Sequence, residues 1–213
     1  MNARFRVWGG RGTVAASPLA AVAAVLALSG CSAAGQEIDL APQPPAVTSA
    51  SPAGEQLPKL PESTPDWLDV PDIDAHSTLL PLGLNDDRTV AVPSVHEPMQ
   101  AGWYRYGPTP GETGPAVILG HVNGDGQDGI FARLHQLGSG DEIRVGREDG
   151  TVARFTVTRM DQVPKDRFPT DEVYGDTTEP ELRLITCGGA FDDAAGSYRD
   201  NIIAYATFTG VVP

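Results

Sequence analysis

Cys187 is preceded by Leu184, Ile185 and Thr186 and followed by Gly188 and Gly189. A cysteine ending a strand before two glycines stands where backbone crowding is low and a substrate can approach. Thiolate, not thiol, is the nucleophile, and an acidic domain disfavours it, so a reactive Cys187 needs an acid–base or cationic partner. His121, which ends a buried run closed by Gly120, has the chemistry of a proton carrier. Arg199 lies twelve residues beyond Cys187 across a loop rich in Gly and Asp, and a strand returning beside the first would bring its fixed charge to a developing oxyanion. Arg183 competes, because an offset of four puts it on the strand face of Cys187. Four residues at about 3.3 Å each, however, leave it about 13 Å away. Arg199 is therefore preferred; its other reading is a surface arginine paired with a nearby acid.

The only other cysteine, Cys31, closes Leu28-Ser29-Gly30-Cys31 behind a charged head of Arg4, Arg6 and Arg11 and a short alanine-rich apolar run over 14–28. That run reads as an export signal, and it is short of the about 20 apolar residues that span a bilayer. The small residues ending in cysteine resemble a bacterial lipobox, in which the cysteine is lipidated and becomes the new N-terminus. Ordinary cleavage nearby, for instance after Ala34, is the other reading. Either way the domain is expected outside the cytoplasm, on the outer face of the membrane if Cys31 carries lipid. Cys187 is then an unpaired thiol in an oxidising compartment. It is either a nucleophile or a buried small hydrophobe. Loss of residues 1–31 removes three of 15 basic residues and none of 28 acidic ones, taking the net charge from −13 to −16. Nucleic-acid binding is disfavoured, since phosphate contacts need clustered positive charge.

Residues 32–65 are rich in Pro, Ser, Ala and Gln and short of large apolar side chains, as an extended, solvated tether would be. Residues 66–213 have the size of one domain. Short runs of Val, Ile, Leu, Thr and Phe between Gly, Pro and Asp turns predict an all-β barrel or sandwich. Strands are expected at 67–70, 77–80, 89–92, 116–119, 142–145, 152–160, 181–186 and 201–208, with a short helix at 130–137. Alternation is clearest at 152–160, where Val152, Arg154, Thr156 and Thr158 share a face.

Taken together, Gly114-Pro-Ala-Val-Ile-Leu-Gly-His121, Leu182-Arg-Leu-Ile-Thr-Cys-Gly-Gly189 and Tyr198-Arg199-Asp200-Asn201 resemble the sortases, most closely those of classes E and F from actinobacteria. Supporting matches are Ala101-Gly-Trp-Tyr104, Phe131-Ala-Arg-Leu134, Gly140-Asp-Glu-Ile143 and Phe168-Pro169, in family order over 68–208. The resemblance implies a closed eight-stranded barrel with one or two short helices and a catalytic trio of Cys187, His121 and Arg199. It also implies cleavage of a Leu-Pro/Ala-x-Thr-Gly-like signal between Thr and Gly through a thioester, and acyl transfer to a peptidoglycan precursor or pilin amine. Thr186 would then position substrate beside the nucleophile, or serve only as a strand former. Many sortases keep a transmembrane helix, and the lipobox departs from that pattern.

No cofactor is implied. Asn123 to Asp128 has the look of a calcium loop, but its twelfth position is Leu134 where a bidentate Glu is needed. His76, His96, His121, His135 and Cys187 show no zinc spacing. An L,D-transpeptidase shares the His-before-Cys order but uses Ser-x-Gly-Cys at the nucleophile, and a lipid-anchored binding barrel without catalysis is the non-enzyme alternative.

Overall fold

The computed structural model describes residues 57–212; the expected export signal, Cys31 and most of the expected tether lie outside them. Ten strands occur: β1 (Pro65–Val70), β2 (Ala75–Leu82), β3 (Ala101–Tyr104), β4 (Gly114–Gly120), β5 (Asn123–Gly124), β6 (Gln127–Asp128), β7 (Glu142–Arg147), β8 (Val152–Pro164), β9 (Pro180–Asp192) and β10 (Ser197–Val212). Helix α1 covers Thr170–Tyr174. Eight strands close into a barrel in the order β1-β2-β3-β4-β9-β10-β8-β7, while β5 and β6 form a separate hairpin. The barrel is mixed, since β2–β3 and β4–β9 pair in parallel and the other neighbours antiparallel.

Each strand's pattern tells what covers it. Along β8, Ala153, Phe155 and Val157 are buried while the residues between them are less so, which is the alternation of a strand with one wet face. By contrast, Ala116–Leu119 of β4 and Leu182–Thr186 of β9 are buried on both faces. Their inward residues Ala116, Ile118, Leu182 and Leu184 join the barrel core with Phe131, Phe155 and Phe208. Their outward residues Val117, Leu119 and Ile185 build a second cluster with Val90, Val173, Ile203 and Tyr205. The segment after β2 and helix α1 thus roof one outer side of the sheet.

Two expected elements differ. Residues 89–92 make no strand, only an isolated bridge of Leu84 with Val90, because the backbone is engaged in a tight turn in which Asn85 N–H donates to Thr89 O. Residues 130–137 are not a helix beyond a 3-10 turn at Leu134–Gln136. Ile130, Phe131, Leu134 and Leu137 do face one core, but Ile130 N–H donates to Pro98 O and Phe131 N–H to His121 O, so helical bonding gives way to tertiary bonds. Strand β3 and helix α1 were not legible from periodicity, being only four and five residues long.

Residues 57–64, which their composition assigns to the tether, lie on the barrel. Leu60 N–H donates to Gly111 O at 2.9 Å, and Ser63 N–H to Thr109 Oγ1 at 3.1 Å. Arg147, whose side chain has no exposed surface, holds the carbonyls of Pro61 and Pro110 and pairs with Asp149 at 3.1 Å. Replacing it strands the buried carbonyl of Pro110 and frees that of Pro61. Arg147→Ala is expected to lower stability by about 2–4 kcal/mol, and a chain begun at residue 66 to lose stability in the same direction. Urea melts with equal slopes check both; an Arg147→Ala midpoint equal to that of the parent would show that the segment is not fastened.

Candidate active site

Three rows of side chains run across the outer face of β4, β9, β10 and β8. Register aligns Val117, Arg183, Tyr205 and Arg159 in the lowest row, then Leu119, Ile185, Ile203 and Asp161. One pleat further, Cys187 is opposite Asn201 and Asn201 opposite Val163. The parallel pairing runs to Leu119–Ile185, and His121 and Cys187 each lie two residues further on, so both reach the same edge of the pair. In the two lower rows the residues of β4, β9 and β10 are buried under the roof, while Arg159 and Asp161 on β8 reach solvent; in the top row Asn201 stays buried and Cys187 is half-buried, in a cleft lined by Val95, His121, Val122, Asn123, Cys187, Ser197 and Tyr198.

His121 is held by backbone geometry. A Cβ on Gly120 would come within 2.5 Å of Ile130, and one on Gly129 within 2.2 Å of His121 O, so both must be glycine for the chain to turn here. Phe131 N–H donates to His121 O at 3.0 Å. The ring is 2.7 Å from Pro93 O through Nε2. A carbonyl only accepts, so Nε2 carries a proton and Nδ1 is the nitrogen left for proton transfer in the neutral ring. The segment carrying Pro93 is itself pinned to the β5–β6 hairpin. There Asp125 and Gly126 turn with φ of 48° and 75°, the geometry of a type I′ turn, and His96 Nδ1 meets Asp125 Oδ2 at 2.8 Å. The stretch resembling a calcium loop is therefore a tight hairpin.

Past Cys187 the strand bulges. Between the pairs Asp200–Gly188 and Tyr198–Phe191 the register shifts, and Gly189 takes φ 73° with its Cβ direction 2.2 Å from Asp200 Oδ2. The glycine pair after the thiol thus serves the bulge of the β9–β10 pair as well as access. Arg199 sits at this irregularity, 65% exposed at its side chain, with Nη2 3.3 Å from Asp192 Oδ2. Asp192 also accepts from Ala194 and Ala195 N–H at 3.1 Å each. Its carboxyl is held below the usual range first by the Ala195 amide, then by the Arg199 charge and the Ala194 amide. Across the hairpin, Asn123 Nδ2 donates to Tyr198 O–H at 2.8 Å, and Phe191 packs edge-on against Tyr198 at 5.1 Å, forming one wall of the cleft.

The structure brings His121 and Cys187 to one cleft, while Arg199, at the bulge of the neighbouring strand, does not line that cleft and rests on its acidic partner. Thr186 pairs with Ile202, faces the barrel interior and is 1% exposed, which is the position of a strand residue; it does not line the cleft as a substrate contact would. Arg183 lies two rows below, buried, ion-paired with Glu181 and over the Tyr205 ring at 4.6 Å, so it has a structural partner set of its own. Among the described residues no cluster of three metal-ligating side chains occurs.

The sortase-domain family profile matches residues 68–209. The chain belongs to the sortase family. It is accordingly a sortase-type cysteine transpeptidase, and the L,D-transpeptidase reading falls. Sortase structures share its fold. Streptococcus agalactiae sortase C1 is 14% identical with a TM-score of 0.53, covering 73% of each chain. Corynebacterium diphtheriae sortase A is 20% identical with a TM-score of 0.53, covering 72% of this chain and 64% of its own. The Actinomyces oris sortase SrtA is 24% identical with a TM-score of 0.51, covering 78% and 89%. Comparison with the curated proteins found no match.

Sequence reasoning missed Pro93, Val95 and Asn123, which carry no chemical signature and reach the site only through loop packing. Tyr198 and Asn201 stood in a recognised run without a role. The tautomer of this sortase's histidine has a direct test. Long-range proton–nitrogen NMR of the neutral ring is expected to show Nε2 protonated and Nδ1 bare; the opposite pattern would remove Pro93 as its anchor.

Proposed function

We propose that this sortase cleaves a Leu-Pro/Ala-x-Thr-Gly-like sorting signal between Thr and Gly, using Cys187, His121 and Arg199. The observation that carries the reading is the pairing of β4 with β9, which sets a histidine and the single described cysteine side by side on one open cleft. The Cys187 proton passes to His121 Nδ1, and Sγ attacks the Thr carbonyl to form the tetrahedral adduct. On its collapse the C–N bond breaks, the imidazolium returns the proton to the leaving glycine amine, and a thioester remains on Cys187. An acceptor amine then attacks the thioester, loses a proton to His121 and releases the thiol. Arg199 steadies the oxyanion in both halves once its guanidinium leaves Asp192. Support for Arg199 is its place two residues before Asn201 on the strand beside Cys187, and its solvent-facing pairing.

The finer assignment is to the class E or F type, on the runs at 114–121, 182–189 and 198–201. Clients are proteins bearing a C-terminal sorting signal, and the acceptor is a peptidoglycan precursor or pilin amine. We also infer lipid attachment at Cys31 and a place on the outer face of the membrane, from the lipobox-like residues 28–31. Intact and N-terminal mass spectrometry of membrane-extracted protein is expected to find a diacylglyceryl-modified Cys31. An unmodified N-terminus at Ala33 or later would overturn the anchor.

Incubation with Leu-Pro-x-Thr-Gly or Leu-Ala-x-Thr-Gly peptides without acceptor is expected to give an acyl adduct on Cys187 that disappears when an amine is added. Cys187→Ala and His121→Ala should abolish transfer, and Arg199→Ala should slow it by about 10²–10³-fold. Near-normal turnover of Arg199→Ala would sink its role; no adduct with either peptide from folded, reduced protein would sink the proposed signal.

A further inference from the structure

The row that carries Cys187 has a polar member that the chemistry above does not use. Asn201 stands directly opposite Cys187 on β10, on the other side from His121, with Val163 beyond it on β8 and Ile203 next along its own strand face. It is 1% exposed, and its Oδ1 has no hydrogen-bond partner in the protein. A buried acceptor without a partner is less stable than an apolar side chain of the same shape, so packing against Val163 and Ile203 does not explain an asparagine here. Directly opposed antiparallel residues hold their Cβ atoms about 4.5–5.5 Å apart. A carboxamide in that position is within reach of Sγ by a side-chain rotation, and either of its faces can be presented, because its oxygen and nitrogen are alike in shape.

We infer that Asn201 positions the nucleophile. In the resting enzyme the Cys187 S–H donates to Oδ1. When that proton passes to His121 Nδ1, the S–H bonding pair stays on sulfur, the carboxamide turns over, and Nδ2–H donates to the thiolate. The nucleophile is then held from both sides of its strand, by the imidazolium just past β4 and by the amide on β10. The charged and titratable groups around it are His121 just past β4, Asp192 and Arg199 of the β9–β10 hairpin, Asp200, whose Oδ2 accepts from Gln162 at 2.7 Å, and Lys165, whose Nζ donates to Ser197 Oγ at 2.7 Å on the cleft wall. Of the side chains that register places next to Cys187 on its own face, Asn201 alone offers both an acceptor and a neutral donor. This inference rests on Cys187 as nucleophile and His121 as its proton partner.

The test alkylates the full chain with iodoacetamide across pH, which needs no sorting signal. Asn201→Asp keeps the shape but loses the donor, and is expected to slow alkylation at neutral pH by about tenfold and to move the profile to higher pH. Asn201→Ala should slow it about threefold or more without adding a charge, and with peptide substrate kcat should fall while KM stays within about twofold. Both variants alkylating at the parent rate, with only their melting temperature changed, would overturn the inference. Should the variants not fold, the wild-type protein still decides. One Nδ2 proton resonance of Asn201 is expected to move downfield as the thiol ionises, and to stay fixed in Cys187→Ser; a resonance indifferent to ionisation overturns the role. An acyl adduct together with parent-like alkylation of the variants would fail Asn201 alone. Slowed alkylation of the variants with no acyl adduct would fail the sorting signal alone.

Discussion

The parallel pairing of β4 with β9 is the constraint on which the site depends. In a parallel pair both strands run toward the same edge, so His121, just past the end of β4, comes to the side of the barrel where Cys187 stands within β9, although 66 positions separate the two. Had the pair been antiparallel, the same two motifs would lie at opposite ends of the barrel. Parallel neighbours cannot be joined by a tight turn. The crossover from β4 to β9 therefore carries β5 to β8 and α1, and with them the hairpin that walls the cleft.

Register is enforced by burial on both faces. Slipping β9 by one residue against β4 would send Leu184 outward and Ile185 inward, moving apolar side chains out of both the barrel core and the outer cluster at once. The cover over Val117, Leu119, Ile185 and Ile203 reaches Val163 in the top row and leaves Asn201 buried, but it gives way at Cys187 and His121, where the thiol is half-buried rather than sealed. Beneath, Arg183 and Arg159 stack against Tyr205 at 4.6 and 4.0 Å, so the bottom row carries charge without chemistry of its own.

Much of the fold was legible because strands with one wet face write their alternation into the chain. Residues 152–160 show this plainly, while the doubly buried runs at 116–119 and 182–186 read instead as short continuous apolar stretches. What could not be read was decided by bonds to distant residues. Ile130, Leu134 and Leu137 have a helical spacing, yet the amides of Ile130 and Phe131 go to Pro98 and His121. Residues 57–64 have the composition of a linker, yet Arg147 gathers them onto the barrel. Thr89–Val92 has strand composition, but Val90 is needed as a cover rather than a sheet member.

For the site, the sequence alone determined the chemical types: a thiol before two glycines, a histidine ending a buried strand, an arginine in the returning strand, and an order of motifs that marks the family. Those are local properties, set by side-chain chemistry and by turn and strand propensity. Only the tertiary structure decided which nitrogen of His121 is free, that Thr186 turns inward, that Arg199 rests on Asp192, and that Asn201 stands opposite Cys187. Each of these depends on register between strands far apart in the chain, and register is set by how two hydrophobic layers pack, which no single segment encodes.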